Sequence, residues 1–364
     1  MYSFEPTEEQ RMLIDAINRY ADNDLRAKAH DADEEAQLPA DLIEKGWELG
    51  YLQASLPEQY GGFGEHSAVT GVLAAEEMAW GDLAGALGVM TPNLFALPVF
   101  LGGTEEQKET YLPPVIEAEW LPYAAALIEP QFDFDPNDLR TTAVEEGDEY
   151  VITGQKTYVP YADDAEAMVV YARLGDQTQG FIVPKGSSGV EVGERMKLLG
   201  IYAYPVYEAN FQEARIPQAN RIGGEAGHDF TPILDASRLA LAAMAVGMSR
   251  AAYEYSRDYA KEREVFGVKV AQKQAIAFML AEMATEIEAI RLLVWEAAWM
   301  LDNAKPEASK NAYLALTGAG DMAMMVTDRA VQILGGYGYI REYPVEMWMR
   351  NGRGIAMLNG LTIV

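Results

Sequence analysis

Apolar residues recur at helical spacing through the first third of the chain. Between Glu8 and Lys28, the residues Met12, Leu13, Ala16, Ile17 and Tyr20 fall close to a 3.6-residue period, which predicts an amphipathic helix. Pro39 opens a second helix, Pro39-Ala-Asp-Leu-Ile-Glu-Lys-Gly-Trp-Glu-Leu-Gly, which Gly50 stops. Tyr60-Gly-Gly-Phe-Gly reads as a loop, and further helices are expected over Ala68–Trp80 and Glu105–Tyr111. From about residue 122 the texture changes. Glu149-Tyr-Val-Ile-Thr, Ala167-Met-Val-Val-Tyr-Ala-Arg and Gly180-Phe-Ile-Val-Pro are β-branched or aromatic runs set between the turns Gly175-Asp and Lys185-Gly-Ser-Ser-Gly, the pattern of a small barrel or sandwich.

Long helical patterns return after Phe230, near 232–260, 270–303 and 307–334. On the helix around Ala271–Met300, Ile276, Met279, Leu280, Met283, Ile287, Ile290, Leu293 and Val294 share one face, most simply the core of a bundle rather than a ligand groove. There is no internal repeat or low-complexity linker. The fold class is therefore α+β in three parts: a helical domain over 1–121, a β-barrel domain over 122–227 and a four-helix bundle over 228–364.

Composition narrows the chemistry. At 364 residues the chain has room for two to three domains, and 49% apolar with 23% charged residues is ordinary for a globular protein. The absence of cysteine excludes disulfides, zinc–thiolate sites and thiol nucleophiles, and His30, His66 and His228 are too scattered for a metal cluster. The start, Met1-Tyr-Ser-Phe-Glu-Pro, lacks the basic and apolar regions of a signal peptide, and the longest apolar run, Leu239–Met248, is about half of a membrane span. A cytoplasmic protein with no membrane partner is expected. The net charge of −28 disfavours nucleic acid and anionic lipid, and reads as a solubility or salt-adaptation trait or as an acidic docking face. Any site for an anionic cofactor or ester must then be a local basic patch.

Five segments in sequence order carry a resemblance: Pro57-Glu-Gln-Tyr-Gly-Gly-Phe-Gly, Gly103-Thr-Glu-Glu-Gln-Lys, Gly147-Asp-Glu-Tyr-Val-Ile-Thr-Gly-Gln-Lys, Tyr259-Ala-Lys-Glu-Arg263-Glu-Val-Phe266-Gly267 and Gln332-Ile-Leu-Gly-Gly336-Tyr-Gly. With the stretch from Pro344-Val-Glu-Met-Trp-Met-Arg to Asn359-Gly360, they make the chain similar to the acyl-CoA dehydrogenase family over essentially its whole length. The resemblance implies helices, a β-domain and a four-helix bundle. It also implies FAD, an acyl-CoA substrate and an electron-transferring flavoprotein that carries electrons away. In such enzymes a glutamate takes the α-proton while the flavin takes a β-hydride. Each flavin is held by two subunits of a homotetramer: one grips the ring, and its neighbour lends an Arg, a Phe and a Q-x-x-G-G loop.

Here the two halves differ. Arg263, Phe266, Gln332, Gly335 and Gly336 match the lending half. An Arg fork suits a pyrophosphate and paired glycines admit anionic oxygens to backbone N–H groups, although a helix-end charge and a helix stop would explain the same residues. The ring-holding half departs from the family pattern. Where T-E-P-x-x-G-S-D is expected stands Ile128-Glu129-Pro130-Gln-Phe-Asp133-Phe134-Asp135, and W-I-T is replaced by Tyr158-Val159-Pro160. Proline offers neither hydroxyl nor N–H, and Asp133 and Asp135 would repel a flavin phosphate. Asn359 stands at the base position, where an amide cannot accept the proton. The alternative family position, immediately before Arg238, is Ser237, and Asp235 lies about 200° around that helix. The resemblance also implies a further helix beyond this region, where the sequence ends at Val364.

Three functions remain open. The chain is expected to be the helper subunit of an α2β2 acyl-CoA dehydrogenase, lending FAD contacts to a catalytic paralogue that acts on an acyl-CoA, for example one with a steroid side chain. The alternatives are an independent flavoprotein lyase or desulfinase on a CoA thioester, and a non-catalytic structural subunit. Met90, Leu94, Met244 and Met248 are candidates for an acyl pocket or for plain core, and Arg238 for a CoA contact or a structural cation.

Overall fold

The computed structural model describes residues 5–117 and 119–364, so the first four residues of the N-terminal reading lie outside it. The helical layer begins with α1 (Glu8–Tyr20), where Thr7 and Gln10 form a reciprocal capping box. It passes through a π turn (Ala21–Leu25) into α2 (Arg26–Glu35), so the helix expected to Lys28 runs on to a left-handed Ala36. α3 (Ala40–Trp47), α4 (Tyr51–Ala54), α5 (Ala68–Gly81), α6 (Leu83–Val89), α7 (Asn93–Gly102) and α8 (Glu105–Glu117) follow. α6 and α7 are apolar nearly all round and almost wholly buried, so no amphipathic period marked them in the sequence.

The middle segment forms one curled seven-stranded sheet. Its strands are β1 (Tyr123–Ala126), β2 (Thr142–Glu146), β3 (Glu149–Pro160), β4 (Ala167–Leu174), β5 (Gln177–Pro184), β6 (Val190–Arg195) and β7 (Val206–Pro217). The order is β1-β4-β2-β3-β7-β6, with β5 on β4. Most ladders are antiparallel, and β1 runs parallel to β4. Inside the curl, Ile152, Val170, Phe181, Phe211 and Ile216 pack into a separate core. β3 breaks register against β7 between Ile152 and Gly154 and again between Lys156 and Val159, bulges that bend the strand beside the site.

The third segment is built on α9 (Thr231–Glu262), a helix of 32 residues and therefore about 48 Å. The hairpin β8 (Glu264–Val265) and β9 (Val268–Lys269) leads to α10 (Gln274–Asp302), α11 (Ala308–Leu334) and α12 (Val345–Gly354). The run Leu239–Met248 is wholly buried at the centre of α9, packed by α5, α10 and α11. On α10, Met283, Ile287 and Val294 are in the core, while Ile276, Met279, Leu280, Ile290 and Leu293 are only half covered. Met90, Met244 and Met248 are core residues too. Among the described residues no single helix is long and apolar enough to cross a membrane.

α9 and α5 approach so closely that a Cβ on Gly247 would lie 2.0 Å from the Glu76 carbonyl oxygen. Gly247→Ala is therefore expected to destabilise the chain by about 1–3 kcal/mol, as overpacking does. The check is a lowered urea midpoint with an unchanged m-value.

Candidate functional site

A buried ion pair fixes the loop between β1 and β2. Lys156 on β3 and Glu129 in the loop are both almost fully buried, with Nζ donating to Oε1 at 2.9 Å and to the Leu127 carbonyl at 2.9 Å. The Glu129 carboxylate also accepts from the backbone N–H groups of Arg140 (2.7 Å) and Thr141 (2.8 Å) and from Gln131 (2.7 Å). Burial alone would raise its pKa, but the Lys156 charge and these donors outweigh burial and hold the carboxyl down to about 2. Burial pulls the Lys156 ammonium down to about 8 against that attraction. The salt-bridged state is the neutral-pH form.

The tethered loop projects Phe134 inward, half-buried against both helical cores, while Phe132 is fully exposed. Asp133 is held by Arg140 at 2.6 Å, and Asp135 accepts from the Asn137 N–H at 2.9 Å. Across from the loop, Tyr158 sits at φ +54°, a left-handed backbone unusual for an aromatic residue, and is half-buried against the core. These segments and the end of the chain enclose a cleft of about 1080 Å³. Phe134, Tyr158, Met196, Glu208, Arg238 and Asn359 are among its walls.

Asn359 does reach this cleft, and its Oδ1 is buried without a partner, as is Nε of Arg238. Arg238 donates to Asp235 at 3.2 Å, and Ser309 donates to the same carboxylate. Asp235 is buried and spoken for by these two groups; burial pushes its pKa up. Ser237 turns instead to a separate apolar slot of about 20 Å³ beside Leu94, Tyr171 and Gly360, its hydroxyl unpartnered. Of the remaining cleft carboxylates, Glu208 faces Gln155 at 3.4 Å and, like Asp135, has no cation in salt-bridge reach among the described residues. The Glu129–Lys156 pair and Glu208 were not singled out in the sequence. Lysine in the Gly-Gln-Lys segment, 27 residues after the Glu of Ile-Glu-Pro, gives no local signal of their pairing.

The second cluster lies at the other end of α9. Arg263 follows the last turn of that helix, and 25 residues separate it from Arg238, about 38 Å along the helix axis. Its guanidinium stands 5.1 Å from the centre of the Tyr337 ring. Arg263, Tyr337, Gly335 and Gly336 line one pocket of about 410 Å³ with Tyr259 and Ile333. Gly335 has φ +61°, and a Cβ on either glycine would meet nothing within 4 Å. Gln332 is exposed one turn earlier on α11. Phe266 does not line the pocket. It sits with Gly267 in a two-residue turn between β8 and β9, both at positive φ, and is 94% exposed.

Residues 7–119, 124–214 and 229–362 match the models of the acyl-CoA dehydrogenase N-terminal, middle and C-terminal domains. The chain belongs to the acyl-CoA dehydrogenase family. It is 34% identical over 362 residues to the probable acyl-CoA dehydrogenase YngJ of Bacillus subtilis, covering 96% of this chain and 94% of that one. Identity is 35% over 369 residues to subunit CarC of the caffeyl-CoA reductase–Etf complex of Acetobacterium woodii, with 98% and 96% covered. The structure of butyryl-CoA dehydrogenase from Megasphaera elsdenii superposes with a TM-score of 0.89 at 32% identity, with 99% and 96% covered.

Lys156→Met leaves a buried, multiply hydrogen-bonded carboxylate without its cation, and is expected to cost about 3–5 kcal/mol in chemical denaturation. The pH dependence follows from Glu129. Its folded pKa, about 2, lies below the ordinary value of 4.5, so its contribution is complete above the unfolded pKa and disappears as pH falls from 4.5 towards 2. Glu129→Gln should therefore be most destabilising near neutrality, with the gap to wild type closing as acid is added below about pH 4.5. A gap independent of pH would contradict this account.

Proposed function

We propose that this chain is the non-catalytic subunit of a heteromeric, FAD-dependent acyl-CoA dehydrogenase. In this reading it lends contacts for FAD to a related chain that grips the flavin ring and carries the glutamate. The observation that carries the proposal is the contrast between the two pockets. At the far end of α9 the pocket is open and built for an anion: Arg263 presents a fork of donors, and the Gly335–Gly336 backbone is free of side chains on its approach. Gln332 and Phe266 lie outside the pocket lining but adjacent in sequence to Ile333 and Val265, which do line it, and in this reading they add contacts for the pyrophosphate and adenosine.

At the near end, the residues do not fit a flavin ring. Phe134 and Tyr158 turn into the space beside the cleft, Ile128 and Pro160 lack the donors such a ring needs, and Asp135 and Glu208 add negative charge. Asn359 has no basicity for an α-proton, Glu129 is locked to Lys156, and Asp235 is locked to Arg238 and Ser309. The distance along α9 separates the two pockets of one chain, so a ligand reaching the Arg263 pocket is shared with another subunit. FAD, when bound, supplies the hydride acceptor for interconversion of an acyl-CoA and its 2,3-enoyl-CoA. Arg263 and the two glycines hold its charged end, and the related chain supplies the base. An α2β2 assembly and exchange of electrons with an electron-transferring flavoprotein complete the reading. The relative that is itself a subunit of an Etf complex supports the latter.

A second reading, a lyase acting on a CoA thioester in this chain's own cleft, is favoured by the size of that cleft and by the unpartnered Arg238 Nε and Asn359 Oδ1. Turnover of a β-substituted acyl-CoA without an electron acceptor would select it.

The chain purified alone is expected to hold little FAD and to have no dehydrogenase activity. Co-expression with a glutamate-bearing relative should restore both. One FAD per chain in a homotetramer would overturn the proposal. Arg263→Ala should lower flavin retention of the complex about tenfold or more, as loss of a charged hydrogen-bonding group does. Asn359→Glu in the isolated chain should leave it inactive. Phe266→Asn relieves a left-handed aromatic in the turn, so it should preserve or raise stability by about 1 kcal/mol while weakening flavin retention in the complex.

A further inference from the structure

Asn-Gly occurs twice in this chain, at Asn351–Gly352 and Asn359–Gly360, and the two pairs stand in opposite settings. In this dipeptide a backbone nitrogen reaches the preceding side-chain carbonyl carbon with least hindrance, because glycine puts no Cβ beside the reacting atom.

Asn351 is held. It lies within α12 and is 2% exposed, and its Oδ1 accepts from the Ile201 N–H at 2.6 Å. Gly352 is the eighth residue of that helix, so its N–H is committed to the carbonyl four residues earlier. Attack by that nitrogen on the Asn351 side chain requires both bonds to be given up.

Asn359 is free of such restraints. With Gly360 it forms the centre of a turn, closed by the Leu361 N–H on the Leu358 carbonyl at 3.0 Å. Gly360 has φ +99° and Asn359 does not have positive φ, the pattern of a type II turn. A Cβ on Gly360 would also lie 2.8 Å from Leu127 Cδ2, so the fold itself keeps a glycine after Asn359. Among the described residues the Gly360 N–H donates no backbone hydrogen bond. Oδ1 of Asn359 is unpartnered, and the residue lines the large cleft, through which water reaches it and ammonia leaves.

We propose that Asn359–Gly360 is a self-modifying site, at which the folded chain converts an amide of its cleft to a carboxylate. The Gly360 nitrogen adds to Cγ of Asn359 and the Cγ–Nδ2 bond breaks. The Gly360 proton departs with the Nδ2 group as ammonia, leaving a five-membered succinimide. Water then opens the ring at either carbonyl, giving aspartate or isoaspartate. The net change is gain of water and loss of ammonia, with nothing oxidised or reduced. The product adds a negative charge to a wall shared with Arg238, whose buried Nε has no partner, and puts there a group that can accept a proton. Neither the Arg263 pocket nor a second subunit enters this chemistry, so it stands apart from the heteromeric reading.

The test is to age the folded chain at mildly alkaline pH and follow the peptide 347–364 by mass spectrometry, with fragmentation separating the two asparagines. Asn359 should lose its amide at least about tenfold faster than Asn351, a ratio that one retained hydrogen bond is enough to provide. In concentrated urea the two rates should converge. Anion exchange of the aged chain should resolve a species with one more negative charge, eluting as fresh Asn359→Asp does. Asn359→Gln keeps an amide in the cleft but needs a six-membered ring to react, so it should age without that species, and its urea midpoint checks that the fold is retained. Equal rates at the two asparagines of the folded chain, or an Asn359 amide lost only in urea, would overturn the proposal.

Discussion

The close contact of α9 with α5 is the constraint on which the other elements depend. With no side chain at Gly247, the two backbones meet directly, and α9 can be buried on every side through its middle turns. Arg250, one turn on, is tied to Glu76 and Glu77 on α5, and Arg291 of α10 reaches Glu76 as well. A long helix held this firmly behaves as a rigid strut. It places Arg238 and Ser237 beside the sheet at one end and delivers Arg263 to the surface at the other. Neither end can be adjusted without the other, so the spacing between the two pockets is a fixed property of the chain.

Within the cleft, negative charge is abundant but not available for proton transfer at the position that matters. Glu129 has four donors and lies in an ion pair, which makes it a clamp on the loop rather than a base. Asp235 lies under Arg238. The side chain at Asn359 keeps an unpartnered oxygen of an amide, a group with hydrogen-bonding capacity and no useful basicity. The buried ion pair serves shape, holding the loop that forms one wall of the cleft.

Much of this was legible in the sequence, for identifiable reasons. The helices at 231–262, 274–302 and 308–334 announced themselves because each has one covered and one uncovered face, or an apolar run too long for anything else. α6 and α7 did not, since burial on all sides erases the period that marks a surface helix. Arg263, Gly335 and Gly336 converge on one pocket, as their order in the chain implied, because Arg263 ends α9 and the glycines end α11, its direct packing neighbour. Phe266 stands apart for a reason local sequence could supply: Phe-Gly between two short β-prone pairs is a tight hairpin, and the side chain leaves it into solvent. The partnership of Glu129 with Lys156 depends on strand register across the sheet and on a bulge, neither of which is written in any short window.

The hairpin at Phe266 has a thermodynamic consequence. Its left-handed backbone is set by the turn and by the β8–β9 ladder, with no ligand needed to shape it. Gly335 is likewise already in its unusual conformation at the end of α11. A surface whose awkward backbone angles are settled during folding loses little conformational freedom when something binds to it. The entropic burden of binding at this surface then falls mostly on whatever binds, rather than on this chain.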